Sequence, residues 1–368
     1  MKVPFFDLTA QYHSIKSEID TAIATVLESG YFIGGNLVSG FERDFALNCG
    51  MKHCVGVGNA TDGLFLSLKA IGVGPGDEVI TPAWSWISSA EVISQVGAKP
   101  VFVDVDPHFY TVSIKELKAK VTDKAKAVIV VHLYGQAADI KPIVTLCKDK
   151  GLFLIEDCAQ AHFTELEGSK AGSFGTCGVF SFYPTKNLGA FGDGGCVTTN
   201  DRELAELIRR WANHGGLEKD EHLFEGTNSR LDALQATVLN VKLKYLTKWT
   251  NQRIAYAKHY QDRLTGITEL VLPAILAKSV HTFHQFVVQA NHRDNLKAYL
   301  EKQGIQTLIH YPKALPFEPA YQYLHHTEDQ FPVSAQLQKS ILSLPIYPEL
   351  SEEQIDYVCE MIRSFYGR

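Results

Sequence analysis

From about residue 53 the chain alternates short runs rich in Val, Ile and Phe with stretches of helical periodicity, a rhythm that few folds allow. Strands buried on both faces read as continuous apolar runs, so the pattern predicts an α/β protein with an open, mostly parallel sheet. The expected strands are Cys54 to Gly58, Glu78 to Pro82, Pro100 to Val105, Ala127 to Leu133 and Leu152 to Ile155. Helices are expected over Leu64 to Ala70, Ile87 to Val96, Ser113 to Val121 and Ile140 to Lys150, the last stopped by Gly151. After Asn200 the pattern is mostly helical, over Leu204 to Trp211 and Leu231 to Trp249, and mixed patterns return near His284. A boundary near residue 250 separates a large domain, 1–250, from a smaller one, 251–368, through a long helix rather than a flexible tether.

Ligands of open parallel sheets gather at the carboxyl ends of the strands, which places Gly58, Thr81, Asp157 and Ser181 around one crevice. Gly58 to Gly63 follows a strand and opens a helix, offering backbone amides and the Thr61 hydroxyl to an anion at the positive end of the helix dipole. The same composition suits an ordinary turn capped by Thr61 or Asp62. Gly56-Val57-Gly58 lacks the third glycine of a dinucleotide fingerprint, which argues against a nicotinamide dehydrogenase.

Lys186 sits in Ser181-Phe182-Tyr183-Pro184-Thr185-Lys186-Asn187-Leu188-Gly189, ahead of Gly192-Asp193-Gly194-Gly195. Pro184 and the glycines call for an irregular loop, and the apolar flanks imply partial burial, which favours a neutral, nucleophilic amine. A solvated surface lysine is the bland alternative. Asp157 ends an apolar run, and a buried carboxylate needs a cationic partner. A pyridinium nitrogen would serve, and with Lys186 it points to pyridoxal 5'-phosphate; a structural ion pair or helix cap would also satisfy the acid. Either Trp84 or Trp86 could stack on such a ring, the other being core.

The net charge of -6 and the absence of a long Lys/Arg run argue against nucleic acid as a partner. The seven cysteines are odd in number and scattered through apolar runs, as reduced buried thiols in a cytoplasmic protein would be. No run of about 18 apolar residues predicts a membrane span. Neither His325-His326 nor the cysteines have metal-ligand spacing, so no metal is expected.

The order of motifs resembles the DegT/DnrJ/EryC1/StrS family of sugar aminotransferases across nearly the whole chain. Pro4-Phe5-Phe6-Asp7-Leu8, Gly58 to Asp62, Gly72 to Pro82, Val131 to Gln136, Glu156 to His162, Ser181 to Gly195, Asn228 to Asp232, Gln235-Ala236 and Leu344 to Pro348 carry it. The resemblance implies an aspartate aminotransferase-like fold (PLP fold type I), with a large, mostly parallel seven-stranded sheet domain, a smaller C-terminal α+β domain, and a homodimer with shared active sites. It implies that Lys186 anchors the cofactor covalently and then shuttles a proton, that Asp157 pairs with the pyridine nitrogen, that Gln160 bonds the ring hydroxyl, and that Trp86 stacks on the ring. Thr61, Asp62 and Ser181 would bind the phosphate, with Asn228 reaching the neighbouring subunit's site. Tyr183, His310 and Tyr311 would line the sugar pocket.

The implied reaction moves an amino group from L-glutamate to a nucleotide-linked keto sugar, at C3 of a dTDP-3-keto-6-deoxyhexose, in lipopolysaccharide or O-antigen biosynthesis. A UDP-linked substrate or amination at C4 is the near alternative, and a non-catalytic regulator with the same fold is the distant one. Lys186 separates this chain from family members that carry histidine there and dehydrate instead. Phe163 stands where many relatives have glycine, and Leu315-Pro316-Phe317 where a histidine often follows; both are expected at or near the sugar pocket.

Overall fold

The computed structural model describes residues 1–367. Its central sheet runs β1 (His53–Val57), β2 (Glu78–Pro82), β3 (Lys99–Val103), β4 (Ala125–Val131), β5 (Phe153–Asp157), then, past a short ribbon of β6 (Glu165–Leu166) and β7 (Ser169–Lys170), β8 (Cys177–Ser181) and β9 (Gly195–Thr199). The spatial order is β1-β9-β8-β5-β4-β2-β3, and only β9 is antiparallel to its neighbours.

The apolar runs are continuous because helices cover both faces. In β4, Ala127 and Ile129 enter one core with Val79, Ile155 and Val179, while Val128 and Val130 enter another with Ile80, Ile140 and Ile143. Successive residues of a strand point to opposite faces, and each fully buried Val or Ile contributes about 1.5–3 kcal/mol. The expected strands and helices of residues 53–157 are present within a few residues. Asp157 is the last residue of β5, paired with Val131 and Val179.

Three helices, Leu8–Ser14, Lys16–Ser29 and Gly35–Cys49, precede the sheet, ahead of the residues where the alternating pattern begins. The helix expected over Leu231 to Trp249 is two, Ala233–Leu243 and Leu246–Leu264. At the break Lys244 and Tyr245 donate to carbonyls three residues back instead of four, tightening the turn and redirecting the axis. The helix Leu246–Leu264 spans residue 250; its Leu246 and Trp249 pack with the helices before it, and its Ala257, Tyr260 and Leu264 with a second core.

That second core surrounds the antiparallel sheet β10 (Leu270–Val271), β12 (Phe286–Ala290) and β13 (Ile341–Leu344), while β11 (Ser279–Val280) pairs back to β6. The helices Arg293–Lys302 and Glu352–Phe365 close over it. Val3 belongs to the same core and bridges Ile305, its N–H donating to Gly304 O and its C=O accepting from Gln306 N–H, both at 2.9 Å. All seven cysteines are buried and free. Among the described residues no helix is long and apolar enough to cross a membrane.

Candidate active site

The carboxyl ends of β4, β5 and β8 open onto a cavity of about 670 Å³. Thr61, Asp62, Trp86, Asp157, Gln160, Ser181, Tyr183, Lys186, His310 and Tyr311 all line it. Asn228 does not; it is exposed and bridges Asn213. Gly58 and Thr81, expected at the crevice, also lie outside it. Thr81 is buried with its hydroxyl donating to Ser89 O (2.9 Å), and Gly58 donates to Ser229 Oγ (2.9 Å).

The loop bearing Lys186 is pinned from several sides. Lys186 N–H donates to Tyr183 O (2.9 Å), Ala190 N–H to Phe182 O (2.7 Å) and Phe191 N–H to Gln235 Oε1 (2.9 Å). Buried Lys242 donates to Gly189 O (2.8 Å) and Asn187 Nδ2 to Thr282 O (3.1 Å). Gly189 is required here, since a Cβ would fall 2.2 Å from Pro184 O. Burial pushes the Lys186 amine down to about 8, against the opposing pull of the Asp157 carboxylate.

Burial pushes the Asp157 carboxyl up, while Ala159 N–H on Oδ1 (3.0 Å) and the Lys186 charge hold it back. His132 and Glu156, both fully buried, sit 2.9 Å apart beneath it, close to Cys158. The His132–Glu156 pair is a hydrogen-bonded strut. His132 Nδ1 accepts from Ala138 N–H, so Nε2 carries the hydrogen that Glu156 Oε2 accepts. Glu156 also accepts from the N–H groups of Gly172, Phe174 and Gly175, which engages both of its oxygens.

The helix Ala60–Ala70 begins at the cavity, with Asn59 Oδ1 accepting from Asp62 N–H (2.8 Å) as its cap. The Asp62 carboxylate accepts from Ser229 Oγ (2.6 Å), and Thr61 Oγ1 shares a hydrogen bond with Ser88 Oγ (2.7 Å). Ala60 and Thr61 keep N–H groups with no acceptor within the helix. The tryptophans differ clearly: Trp84 is core, 1% exposed, and Trp86 is 58% exposed at the cavity, 5.5 Å from the Tyr311 ring.

Gln160 is held from both ends, Oε1 accepting from Tyr134 N–H and Nε2 donating to Tyr311 Oη, each at 2.7 Å. His310 shares a 2.9 Å hydrogen bond with Ser343 Oγ, and burial with the nearby Lys186 charge brings its imidazole down to about 4.

The family model of the DegT/DnrJ/EryC1/StrS aminotransferases matches residues 13–363. The chain belongs to that family. It is 45% identical to a protein of Geobacillus stearothermophilus named a pleiotropic regulatory protein, over 100% of this chain and 99% of the relative. It is 43% identical to a UDP-N-acetyl-3-dehydro-alpha-D-glucosamine 3-aminotransferase of Acidithiobacillus ferrooxidans, over 98% and 97% of the two chains. A dTDP-3-amino-3,6-dideoxy-alpha-D-galactopyranose transaminase of Aneurinibacillus thermoaerophilus is also 43% identical, over 99% of each. The crystal structure of S. venezuelae DesV in complex with a ketimine intermediate superimposes with a TM-score of 0.98 at 40% identity, covering 100% of this chain and 99% of that one.

Of the two departures from the family pattern, expected at or near the sugar pocket, Phe317 approaches it through the apolar cluster it shares with Tyr311, and Phe163 packs in a different core. Neither Phe163 nor Phe317 lines the cavity. Phe163 is buried beside Phe45, with its backbone at φ +61° and Lys170 over its ring at 4.4 Å. A left-handed backbone suits glycine better than phenylalanine at that position. Phe317 packs on Phe331.

The cavity also contains residues that the motif reading passed over: Ser85, Ser88, Thr185, Asp193, His284 and Gln285. Ser88 could have been found from its serine-rich turn after β2. His284 and Gln285 lead into β12, and nothing local in their sequence signals a return to the first sheet.

Proposed function

We propose that this chain is a pyridoxal phosphate-dependent aminotransferase that transfers the amino group of L-glutamate to C3 of a nucleotide-linked 3-keto sugar. One observation carries the reading: Lys186, with its amine lowered to about 8, shares a cavity with the buried carboxylate of Asp157 at the end of β5. The residues present fit the cofactor. Asp157 has a single backbone donor and needs a cation, the N-terminus of Ala60–Ala70 suits a phosphate, and exposed Trp86 offers a ring face.

Bound there, pyridoxal phosphate supplies an electron sink for the substrate carbon that loses or gains a proton. Asp157 keeps the ring nitrogen protonated through its carboxylate. The second hydrogen of Gln160 Nε2 serves the ring hydroxyl, the first being given to Tyr311. The amides of Ala60 and Thr61, with the Ser181 hydroxyl, hold the phosphate. Asp62 fixes Ser229 and with it the neighbouring Asn228, which the subunit presents to its partner's site. Lys186 would hold the cofactor through Nζ, and its free amine would move the proton at the substrate carbon. Tyr183, His310 and Tyr311 meet the sugar.

The homodimer is part of the proposal. Exposed Tyr31, Phe32 and Ile33 form an apolar segment tied to the helix start after Asn228 by the Ile33–Asp232 bridge and by Ala233 N–H to Phe32 O (2.9 Å). The large domain is assigned to residues 1–250 and the small one to 251–368.

A dTDP-3-keto-6-deoxyhexose is the proposed acceptor, with Tyr183, His310 and Tyr311 as the supporting residues. A UDP-linked 3-keto sugar is the second reading, favoured by the Acidithiobacillus relative. The test is the visible and near-ultraviolet spectrum of the purified protein with pyridoxal phosphate, before and after L-glutamate, followed by each keto sugar in turn. Conversion to the pyridoxamine form, reversed by one sugar, establishes the reaction and the nucleotide. A protein that takes up no cofactor overturns the proposal in favour of a regulator, the role that the Geobacillus relative's name suggests.

A further inference from the structure

Tyr134 is buried, holds a left-handed backbone at φ +60° that bulky residues avoid, and does not line the cavity. All its polar groups nevertheless lead to the cavity walls. Its N–H donates to Gln160 Oε1 (2.7 Å) and its C=O accepts from Gln285 N–H (3.2 Å). Its hydroxyl donates to the His310 carbonyl and accepts from Trp84 Nε1–H (2.9 Å). Gln160 then donates to Tyr311 Oη (2.7 Å), which closes a circuit of Tyr134, Gln160, Tyr311 and His310.

The circuit joins the exit of β4 to a segment 176 residues later in the chain. It is made by one hydroxyl and one backbone amide. Phenylalanine would fill the same space, yet would leave the buried Trp84 N–H and the His310 carbonyl short of a partner. The next residue completes the arrangement. Gly135, at φ +94°, lets the 282–284 segment approach so closely that a Cβ would lie 2.7 Å from Thr282 Oγ1.

We propose that Tyr134 is a positioning residue for the keto-sugar half-reaction, fixing His310 and Tyr311 relative to Gln160 and thereby setting the affinity for the sugar. This rests on the reading above that His310 and Tyr311 meet the sugar. Lys186 and Asp157, on which both half-reactions depend, are not touched by the Tyr134 hydroxyl, so the amino-donor half-reaction is expected to be spared.

The test uses Tyr134→Phe holoenzyme. The rate of the spectral change with L-glutamate is compared with the KM for a dTDP-linked 3-keto-6-deoxyhexose and with amide hydrogen exchange in peptides covering 309–312. The glutamate rate is expected within about twofold of wild type, the sugar KM about tenfold higher, and exchange in 309–312 faster, as for a lost buried hydrogen bond. Trp84→Phe removes the donor to the Tyr134 hydroxyl together with part of a fully buried ring, and about a threefold KM rise with the glutamate rate kept is expected from it. Equal losses in both half-reactions, or an unchanged KM with unchanged exchange, overturn the proposal. If Tyr134→Phe does not fold, the same split in Trp84→Phe supports it and equal losses overturn it. Wild-type protein that ignores the sugar overturns the functional reading instead, and the exchange comparison then decides: faster exchange in 309–312 supports the positional claim, unchanged exchange overturns it.

Discussion

The inner and outer walls of the cavity draw on different parts of the chain. Asp157, Ser181 and the start of the helix Ala60–Ala70 stand at strand ends of the seven-stranded sheet, where backbone pairing fixes each position. His284, Gln285, His310 and Tyr311 arrive from segments flanking the second sheet, and Trp86 and Tyr183 are exposed by more than half. The inner wall is thus set by a scaffold that cannot shift without breaking a sheet. The outer wall is set by hydrogen bonds between distant segments, and it can vary while the chemistry beneath is kept.

Substitutions at the inner wall are expected to cost the most. Lys186→Ala should lower turnover by about 10⁴-fold or more with an unchanged fold, because both the anchor and the proton carrier are lost. Steady-state transamination by a variant with native circular dichroism checks this, and retained turnover would break the comparison. Asp157→Asn should keep the cofactor but lose about 10²-fold in rate, as for removal of one fixed charge at a reacting centre. Wild-type kinetics in that variant would contradict a charged partner for the ring nitrogen.

A pH series sharpens the inner side further. The Lys186 amine is lowered to about 8, so its neutral fraction increases as pH rises through 8. Reloading of the cofactor-free protein should therefore speed up about tenfold from pH 7 to 9 and then level off. An ordinary lysine would still be accelerating at pH 10. Stopped-flow absorbance distinguishes the two profiles.

At the outer wall effects should be smaller and confined to the sugar. His310→Ala is expected to raise the sugar KM by about fivefold while sparing the glutamate half-reaction, since it removes one polar contact. Loss of both half-reactions would show that the two walls are not separable. Asn228→Ala, on the exposed edge, should weaken cofactor retention by only a few-fold, one hydrogen bond among several. Equilibrium dialysis across a dilution series measures it, and equal retention by a monomer would remove the shared site from the account.

The same contrast explains what could be read from the sequence. The strand Ala125–Val131 is apolar on both faces, so its type and place were plain, and Asp157 followed from the end of the next run. Lys186 was marked by Pro184 and its glycines, local signals of an irregular loop. The choice between Trp84 and Trp86 was open on local residues, because burial depends on Tyr134 and Tyr311, which approach from elsewhere. The hydrogen bond that engages Asp62's carboxylate also depends on a distant partner, Ser229. The helix Gly35–Cys49 does carry a helical period, with Val38, Phe41, Phe45, Ala46 and Cys49 buried at three- and four-residue steps, but a reading that starts at the strands passes over it; its partners include Phe180 and Phe182 as well as residues 233–246.

The pairing of Val3 with Ile305 has a consequence in time. Phe5 N–H also donates to Gln306 Oε1, a partner 301 residues later in the chain. At a synthesis rate of about 5–20 residues per second, the first residues wait roughly 15–60 s before that partner is made. The first sheet needs nothing beyond Thr199 and can form meanwhile. The second core, which takes Val3 from one extreme of the chain and Ile362 from the other, closes last, and the outer wall of the cavity is completed only at that moment.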